Sequence, residues 1–167
     1  MLLTFDIGNS DITIGCWDGN QSTDTSGSAW RHTWRVPSKS DQPELFFGIR
    51  IRDYFTDAGL DITKVETIVL SSVVPALTDK IKNVIRSLFG RQAVVLGPAV
   101  YEKLPIKVLN PYEIGSDLVA NAMSAWTKYK RTCIVCNFGT ALTFTTVSGG
   151  GEMLGVSIDR MSTRLNS

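Results

Sequence analysis

Leu2-Leu3-Thr4-Phe5-Asp6-Ile7-Gly8-Asn9-Ser10-Asp11-Ile12-Thr13-Ile14-Gly15-Cys16 opens the chain. Leu2 to Phe5 is a short apolar run. Turn-forming residue types follow at Gly8 and Asn9. Ile12, Ile14 and Cys16 then alternate with Asp11, Thr13 and Gly15, the period of a strand with one buried face. The pattern predicts a β-hairpin with a polar, glycine-containing turn.

Outward from the hairpin, Asp18 to Ser28 is rich in Gly, Ser, Thr and Asp and reads as an exposed loop. Trp30 to Val36 is a third strand. A helix is expected from Ser40 or Asp41, with Pro43 in its first turn and Asp41 and Glu44 forming a capping box. Phe47, Ile51, Tyr54, Phe55 and Ala58 recur at helical spacing, and Gly59 suits its stop. Val65 to Leu70 reads as a buried strand leading into Ser71-Ser72-Val73-Val74-Pro75. Leu77, Ile81, Val84, Ile85 and Leu88 form a helical stripe closed by Gly90, and Ala93 to Leu96 reads as another buried strand. Alternation of strands and helices implies a partly parallel sheet covered by helices. Prolines at 98, 105 and 111 mark connecting chain. A long helix is expected from about Ser116 to Tyr129, with Ala120, Met123 and Trp126 or Thr127 along one side. Cys133 to Cys136 reads as a buried strand, and Leu142 to Val147 alternates again before Gly149-Gly150-Gly151.

The opening pattern recurs. Leu3-Thr4-Phe5-Asp6-Ile7-Gly8-Asn9-Ser10 aligns with Ile134-Val135-Cys136-Asn137-Phe138-Gly139-Thr140-Ala141. Each copy is a strand ending in Asp or Asn, then an apolar residue, a Gly and a small polar residue. Either two related lobes each carry one such hairpin, facing a shared ligand, or two common strand–turn–strand units look alike by chance.

A Gly in a tight turn lets backbone N–H groups approach a ligand without an intervening Cβ, and successive amides form an anion nest. Asn9, Ser10 and Thr13 add side-chain donors for phosphate oxygens. Asp6 is placed to meet Mg²⁺ directly or through water, and Thr140 to close the other side. The chain contains neither GxxxxGK[ST] nor GxGxxG, so this is not a Walker or dinucleotide loop. Gly115-Ser116-Asp117 lies between the two turns, where the long helix begins. Asp117 is there either as a plain helix-start residue or as a general base that takes the proton of a substrate hydroxyl.

Bulk properties narrow the class. The 167 residues carry a formal net charge of +1, which gives no electrostatic footprint for nucleic acid or an anionic membrane. A hydrophobic content of 43% suits a globular chain. No apolar run is long enough to span a bilayer. Nothing at the N-terminus reads as a signal peptide, so the expected compartment is the cytoplasm. Of the three cysteines, Cys133 and Cys136 have CxxC spacing. On a strand, side chains three apart point to opposite faces, which favours core packing over zinc or redox chemistry.

Five pieces occur in the order seen in type III pantothenate kinases: Asp6-Ile7-Gly8-Asn9-Ser10; Ser71-Ser72-Val73-Val74-Pro75; Asn110-Pro111-Tyr112-Glu113-Ile114-Gly115-Ser116-Asp117; Ala120-Asn121-Ala122; and Phe138-Gly139-Thr140-Ala141. The chain resembles that family from Met1 to about Ile158. The resemblance implies an α/β, actin-like (ribonuclease H-like) fold of duplicated lobes. Mixed sheets are flanked by helices, and the second lobe is partial. The first lobe would span 1–112, the start of the second 113–158, and a non-core tail 159–167. It implies phosphorylation of pantothenate by ATP, the first step of coenzyme A biosynthesis, with Mg²⁺ and a monovalent cation (K⁺ or NH₄⁺), in a cytoplasmic homodimer. By position, Asp6, Ile7, Gly8, Asn9, Ser10, Asp11, Ile12 and Thr13 would bind ATP, with Asp6 meeting its Mg²⁺. Thr140 would contact ATP as well. Gly115, Ser116, Asp117 and Leu118 would line the pantothenate site, with Asp117 as proton acceptor, and Asn137 would sit at the monovalent cation.

The chain also departs from the family pattern. Leu118 stands where the family usually has Arg, which removes a cationic fork. Asn137 replaces an Asp, so its amide oxygen holds a cation more weakly. Val108 stands where Tyr is common. After Gly155 the family's glycine-rich turn is missing, and the polar stretch from Val156 to Ser167 lacks core periodicity. An incomplete copy with an unrelated tail from about Asp159 is the expectation. These departures leave two alternatives: a catalytically weak nucleotide-binding relative, or a kinase of another small hydroxyl compound.

Overall fold

The structure is a computed structural model that describes residues 1–18, 30–139 and 141–159. The loop expected up to Ser28 therefore lies, beyond Asp18, outside the described residues, as do Thr140 and the tail from Arg160. The chain forms two compact units, Met1–Leu96 and Gly97–Ser167.

In the first unit, strands β1 (Leu2–Ile7), β2 (Asp11–Trp17) and β3 (His32–Pro37) form an antiparallel meander. Strand β4 (Thr67–Ser72) lies parallel to β1, and β5 (Val94–Val95) parallel to β4, giving the order β3-β2-β1-β4-β5. Helix α1 (Glu44–Asp57) connects β3 to β4, and helix α2 (Pro75–Phe89) connects β4 to β5. Leu3, Phe5 and Ile7 share one face of the sheet with Ile12, Ile14, Cys16, Ile68 and Leu70. That face packs on Phe47, Ile51 and Phe55 of α1 and on Leu77, Ile81 and Ile85 of α2 in one core. The predicted stripes of both helices are thus the buried ones. Gly90 ends α2 in the left-handed conformation, φ 62°, as the sequence suggests.

Two expectations fail in this unit. Helix α1 starts at Glu44, with Pro43 as its extended N-cap and no side-chain cap. The capping box does not form because Glu44 reaches α2 instead, accepting a hydrogen bond from Asn83 Nδ2 at 2.8 Å. Lys80 Nζ holds the approach to α1 by donating to the carbonyls of Ser40 (2.7 Å) and Gln42 (3.0 Å). Strand β5 is two residues long and exposed, not buried, because it closes the sheet at an outer edge.

The second unit opens with a single helical turn, α3 (Pro98–Tyr101), then connecting chain and helix α4 (Ser116–Tyr129). Strands β6 (Cys133–Phe138), β7 (Leu142–Val147) and β8 (Met153–Asp159) follow as an antiparallel sheet in the order β6-β7-β8. The bounds of α4 match expectation, but its buried stripe does not. Leu118, Val119 and Ala122 are buried rather than Ala120 and Met123. The bulkier aliphatics of the first two turns meet the sheet, and Trp126 is held at the rim by Nε1 donating to the Gly149 carbonyl at 3.0 Å.

Strand β6 forms as predicted but is not buried: its residues alternate between half-buried and exposed. Cys133 and Cys136 do fall on opposite faces, but only Cys16 of the three thiols packs in a core, and Cys136 is exposed.

Candidate active site

Strand β1 is the middle strand of the first sheet, and Asp6 lies near its C-terminal end. There it pairs with Thr13 across the hairpin and is registered with Ser71 of β4. Carboxyl ends of parallel strands are where open α/β sheets place ligands. Asp6, Asn9 and Ser10 are exposed, Gly8, Asp11 and Thr13 are half-buried, and Ile7 and Ile12 are core residues that anchor the turn at both sides. Gly8 N–H donates to the Asp11 carbonyl at 3.0 Å, and a Cβ on Gly8 would lie 3.2 Å from that oxygen. The turn closes this tightly because residue 8 has no side chain.

The carbonyls of this turn are taken up inside the protein. Ser38 Oγ donates to the Gly8 carbonyl at 2.6 Å, and Ser38 N–H donates to the Ser10 carbonyl at 2.9 Å. Three carbonyls of the turn, those of Gly8, Ser10 and Asp11, are thus engaged inside the protein. Sequence reasoning missed Ser38, which the β2–β3 register brings beside the turn. The motif Ser71 to Pro75 forms the neighbouring bend. Val73 N–H donates to the Ile7 carbonyl at 3.0 Å, and Ser72 Oγ accepts from Val74 N–H at 3.1 Å and Thr78 Oγ1 at 2.8 Å.

In the second unit, Gly115 is the N-cap of α4, and no side chain caps the helix. Asp117 is the acidic residue of the first turn, half-buried, and does not serve as the cap. Its charge is complementary to the helix N-terminus. Buried Tyr101 lies close enough to respond to it. Burial chiefly pushes the Tyr101 phenol up, the Asp117 carboxylate adds to the rise, and a hydrogen bond with Ser116 opposes it. Ser116 is itself buried. Tyr101 is thus a second residue that the sequence did not flag.

Gly115 and Leu118 line a cavity of about 380 Å³ together with Asn110, Ile114, Met153 and Val156. Two of the four predicted pantothenate-site residues therefore face an existing cavity, mostly apolar. Ser116 and Asp117 are not part of its wall. Val108 lines a different cavity of about 520 Å³, beside the Lys107–Glu152 ion pair at 3.1 Å.

Among the described residues, no group of three or more His, Cys, Asp or Glu converges on a point. A divalent ion would rely on oxygens brought by the nucleotide, with Asp6 as the protein's carboxylate. Asn137 of β6 is half-buried and directly opposite Thr143 of β7. Thr143 Oγ1 is buried with no hydrogen-bond partner. An amide oxygen and an unmet hydroxyl on one face are oxygen donors of the type a monovalent cation takes. The two glycine turns also differ by one residue. Asp6 pairs with Thr13, whereas Asn137 pairs with Thr143, so the second turn is shorter; Gly139 N–H donates to the Ala141 carbonyl at 3.2 Å.

The family model for type III pantothenate kinase matches residues 2–159. The chain belongs to the type III pantothenate kinase family. It is 35% identical over 158 residues to a type III pantothenate kinase of Geobacter sulfurreducens, a match covering 95% of this chain and 59% of that protein. A relative in Solibacter usitatus is 37% identical over the same length, covering 95% and 58%. The chain thus spans about three fifths of the length of these relatives. Among solved structures it is similar to a protein assigned as a 2-dehydro-3-deoxygalactonokinase from Sinorhizobium meliloti. The TM-score is 0.50 at 10% identity, over 95% of this chain and 53% of that one. At that identity the likeness speaks to fold alone, and the fold is the expected actin-like α/β class. No described helix is long and apolar enough to cross a membrane.

Proposed function

We propose that this type III pantothenate kinase chain carries the nucleotide turn and the hydroxyl-activating carboxylate for ATP-dependent phosphorylation of pantothenate to 4'-phosphopantothenate, the first step of coenzyme A biosynthesis. The observation that carries the reading is the family match over residues 2–159, joined to 35% identity with a protein named for that activity. The local geometry supports the division of labour. Asp6 to Thr13 bind the phosphates through turn amides and the side chains of Asn9, Ser10 and Thr13, and Thr140 adds a further ATP contact. When bound, ATP supplies the γ-phosphoryl group, and Mg²⁺ offsets the charge on its phosphates.

Asp117 accepts the proton as the pantothenate hydroxyl oxygen bonds to the γ-phosphorus and the bond to the ADP oxygen breaks. Gly115, Ser116 and Leu118 shape the pantothenate site, with the cavity against Gly115 and Leu118 taking the apolar part of the substrate. Asn137, with Thr143, holds K⁺ or NH₄⁺. The protein acts in the cytoplasm as a homodimer whose pocket borrows residues from the partner.

One observation favours a second reading, a catalytically weak nucleotide-binding relative. Leu118 is 6% exposed and apolar where the family pattern has Arg, so the site lacks a cationic fork. An ADP-release assay with Mg²⁺ and K⁺ separates the two. ADP formed only when pantothenate is present supports the kinase; nucleotide binding without ADP supports the weak relative. The Asp117→Asn variant is expected to lose turnover by at least about a hundredfold while its ATP affinity stays nearly constant. Wild-type turnover in that variant would remove Asp117 from the mechanism.

A further inference from the structure

The cavity of about 380 Å³ beside the start of α4 is built wholly from the second unit. Its wall is aliphatic. Leu118 of α4 and Met153 of β8 are buried, and Leu109, Leu154 and Ile158 are 45%, 54% and 57% exposed. Among the described residues the wall has one charged side chain, the exposed carboxylate of Glu113, and no lysine, arginine or histidine. Asn110 is its one uncharged polar side chain. Other cations of the unit are engaged elsewhere. Lys107 pairs with Glu152 at the wall of the other cavity, and Lys128 and Lys130 lie over the rings of Tyr129 and Trp126 at the C-terminal end of α4.

This inventory decides what the cavity can take. A carboxylate entering it gives up water for methyl groups, finds no cation among the described residues and meets a like charge at Glu113. The N-terminal end of α4 favours an anion, but Asp117 in its first turn already supplies that charge. A neutral amide meets none of these penalties. The Asn110 side chain offers it both a donor and an acceptor. An apolar group on the amide also covers Leu109, Leu154 and Ile158, removing protein surface from water along with its own.

We propose, on the reading of Gly115 to Leu118 as the pantothenate site, that this cavity selects a substrate whose far end is neutral, an amide of pantothenate with a short apolar N-substituent in preference to the free acid. Leu118 and Glu113 determine the specificity. Leu118 presents methyl groups where the substrate passes the start of α4, and Glu113 repels a carboxylate. The transfer step is the same for either compound. The hydroxyl oxygen bonds to the γ-phosphorus of ATP, the bond to the ADP oxygen breaks, and Asp117 takes the hydroxyl proton.

The test is isothermal titration calorimetry of the full chain with pantothenate and with its N-propyl amide, alongside ADP release from both in the presence of ATP, Mg²⁺ and K⁺. The amide is expected to bind at least about tenfold tighter, the scale of one carboxylate left unpaired on burial, and to show the lower KM. Glu113→Lys changes an exposed side chain and keeps the backbone bond from residue 113 N–H to the Asn110 carbonyl at 2.9 Å, so the fold persists. It is expected to narrow the gap roughly fivefold by strengthening binding of the acid. Leu118→Arg is expected to reverse the preference, with folding checked by circular dichroism; Glu113→Lys decides the matter where that buried substitution unfolds the chain. Equal affinities, tighter binding of the acid, or binding of neither compound overturns the proposal. So does a preference for the amide that Glu113→Lys leaves unchanged. Tighter binding of the amide with no ADP from either compound supports the specificity and counts against the kinase reading instead.

Discussion

Ser38 sits one residue beyond β3 and makes two hydrogen bonds to the turn of the β1–β2 hairpin, through Oγ to the Gly8 carbonyl and through N–H to the Ser10 carbonyl. In the proposed ATP site it would be a positioning residue, because it holds two carbonyl oxygens of the turn inside the protein. The Ser38→Ala variant keeps the backbone contact and releases the Gly8 carbonyl. A hydrogen bond of this kind contributes about 1 kcal/mol net, so ATP affinity by calorimetry is expected to fall roughly fivefold. Turnover at saturating ATP should change little, and Ser38→Thr should restore binding; unchanged affinity in Ser38→Ala would exclude the role. Nothing local in the sequence singled out this serine. Its partners follow from the Asp11–Pro37 register of β2 and β3, a long-range pairing that local patterns do not encode. Asp6 and Gly8 were legible for the opposite reason, since strand, turn glycine and second strand are consecutive in the chain. Tyr101 escaped notice because its contact with Ser116 spans connecting chain without periodicity.

At the scale of the elements, glycines with the same lack of a side chain have opposite roles. Gly48 lies inside α1, and a Cβ there would meet nothing nearer than Val84 Cγ1 at 4.0 Å. Gly90 ends α2 at φ 62°, a conformation that costs an L side chain strain. Gly48→Ala is expected to raise unfolding free energy by about 0.5–1 kcal/mol through lower chain entropy and better helix propensity. Gly90→Ala is expected to lower it by about 1 kcal/mol. Urea denaturation of both variants checks the pair, and equal signs would contradict the cap assignment. The sequence announced α2 and its Gly90 stop because the periodic stripe and the terminator agree. It misplaced the start of α1 because Glu44 had two possible partners, the helix's own backbone and Asn83 of α2, and the tertiary partner won. Strand β6 shows a further limit. An apolar run tells what a strand is suited to bury, not what chain lies against it, so Cys133 to Cys136 reads as a buried strand while Ile134 and Cys136 are exposed.

Across the molecule, among the described residues, a buried group in each unit has its ionisation pushed to higher pH by its surroundings. Cys16 in the first core is pushed up mainly by burial, with the Asp18 carboxylate adding and Arg31 and the N-terminal ammonium opposing. Tyr101 in the second unit is pushed up by burial and by Asp117. A raised folded value means that the neutral form is favoured in the native state. Below the ordinary thiol value of 9.0 the native and unfolded chains hold the Cys16 proton equally, and pH has no leverage through this group. Above it, the unfolded chain ionises first and is stabilised, so unfolding free energy falls until the folded thiol also ionises; Tyr101 adds the same loss above 10.0. Each group steepens the decline by at most about 1.4 kcal/mol per pH unit. Denaturation midpoints followed from pH 7 to 11 are expected to lose stability through these groups first near pH 9 and more steeply past pH 10. Cys16→Ala should remove the earlier onset and Tyr101→Phe the later one. An onset near pH 9 that survives in Cys16→Ala would mean that thiol burial in the first unit is not what makes the fold sensitive to alkali.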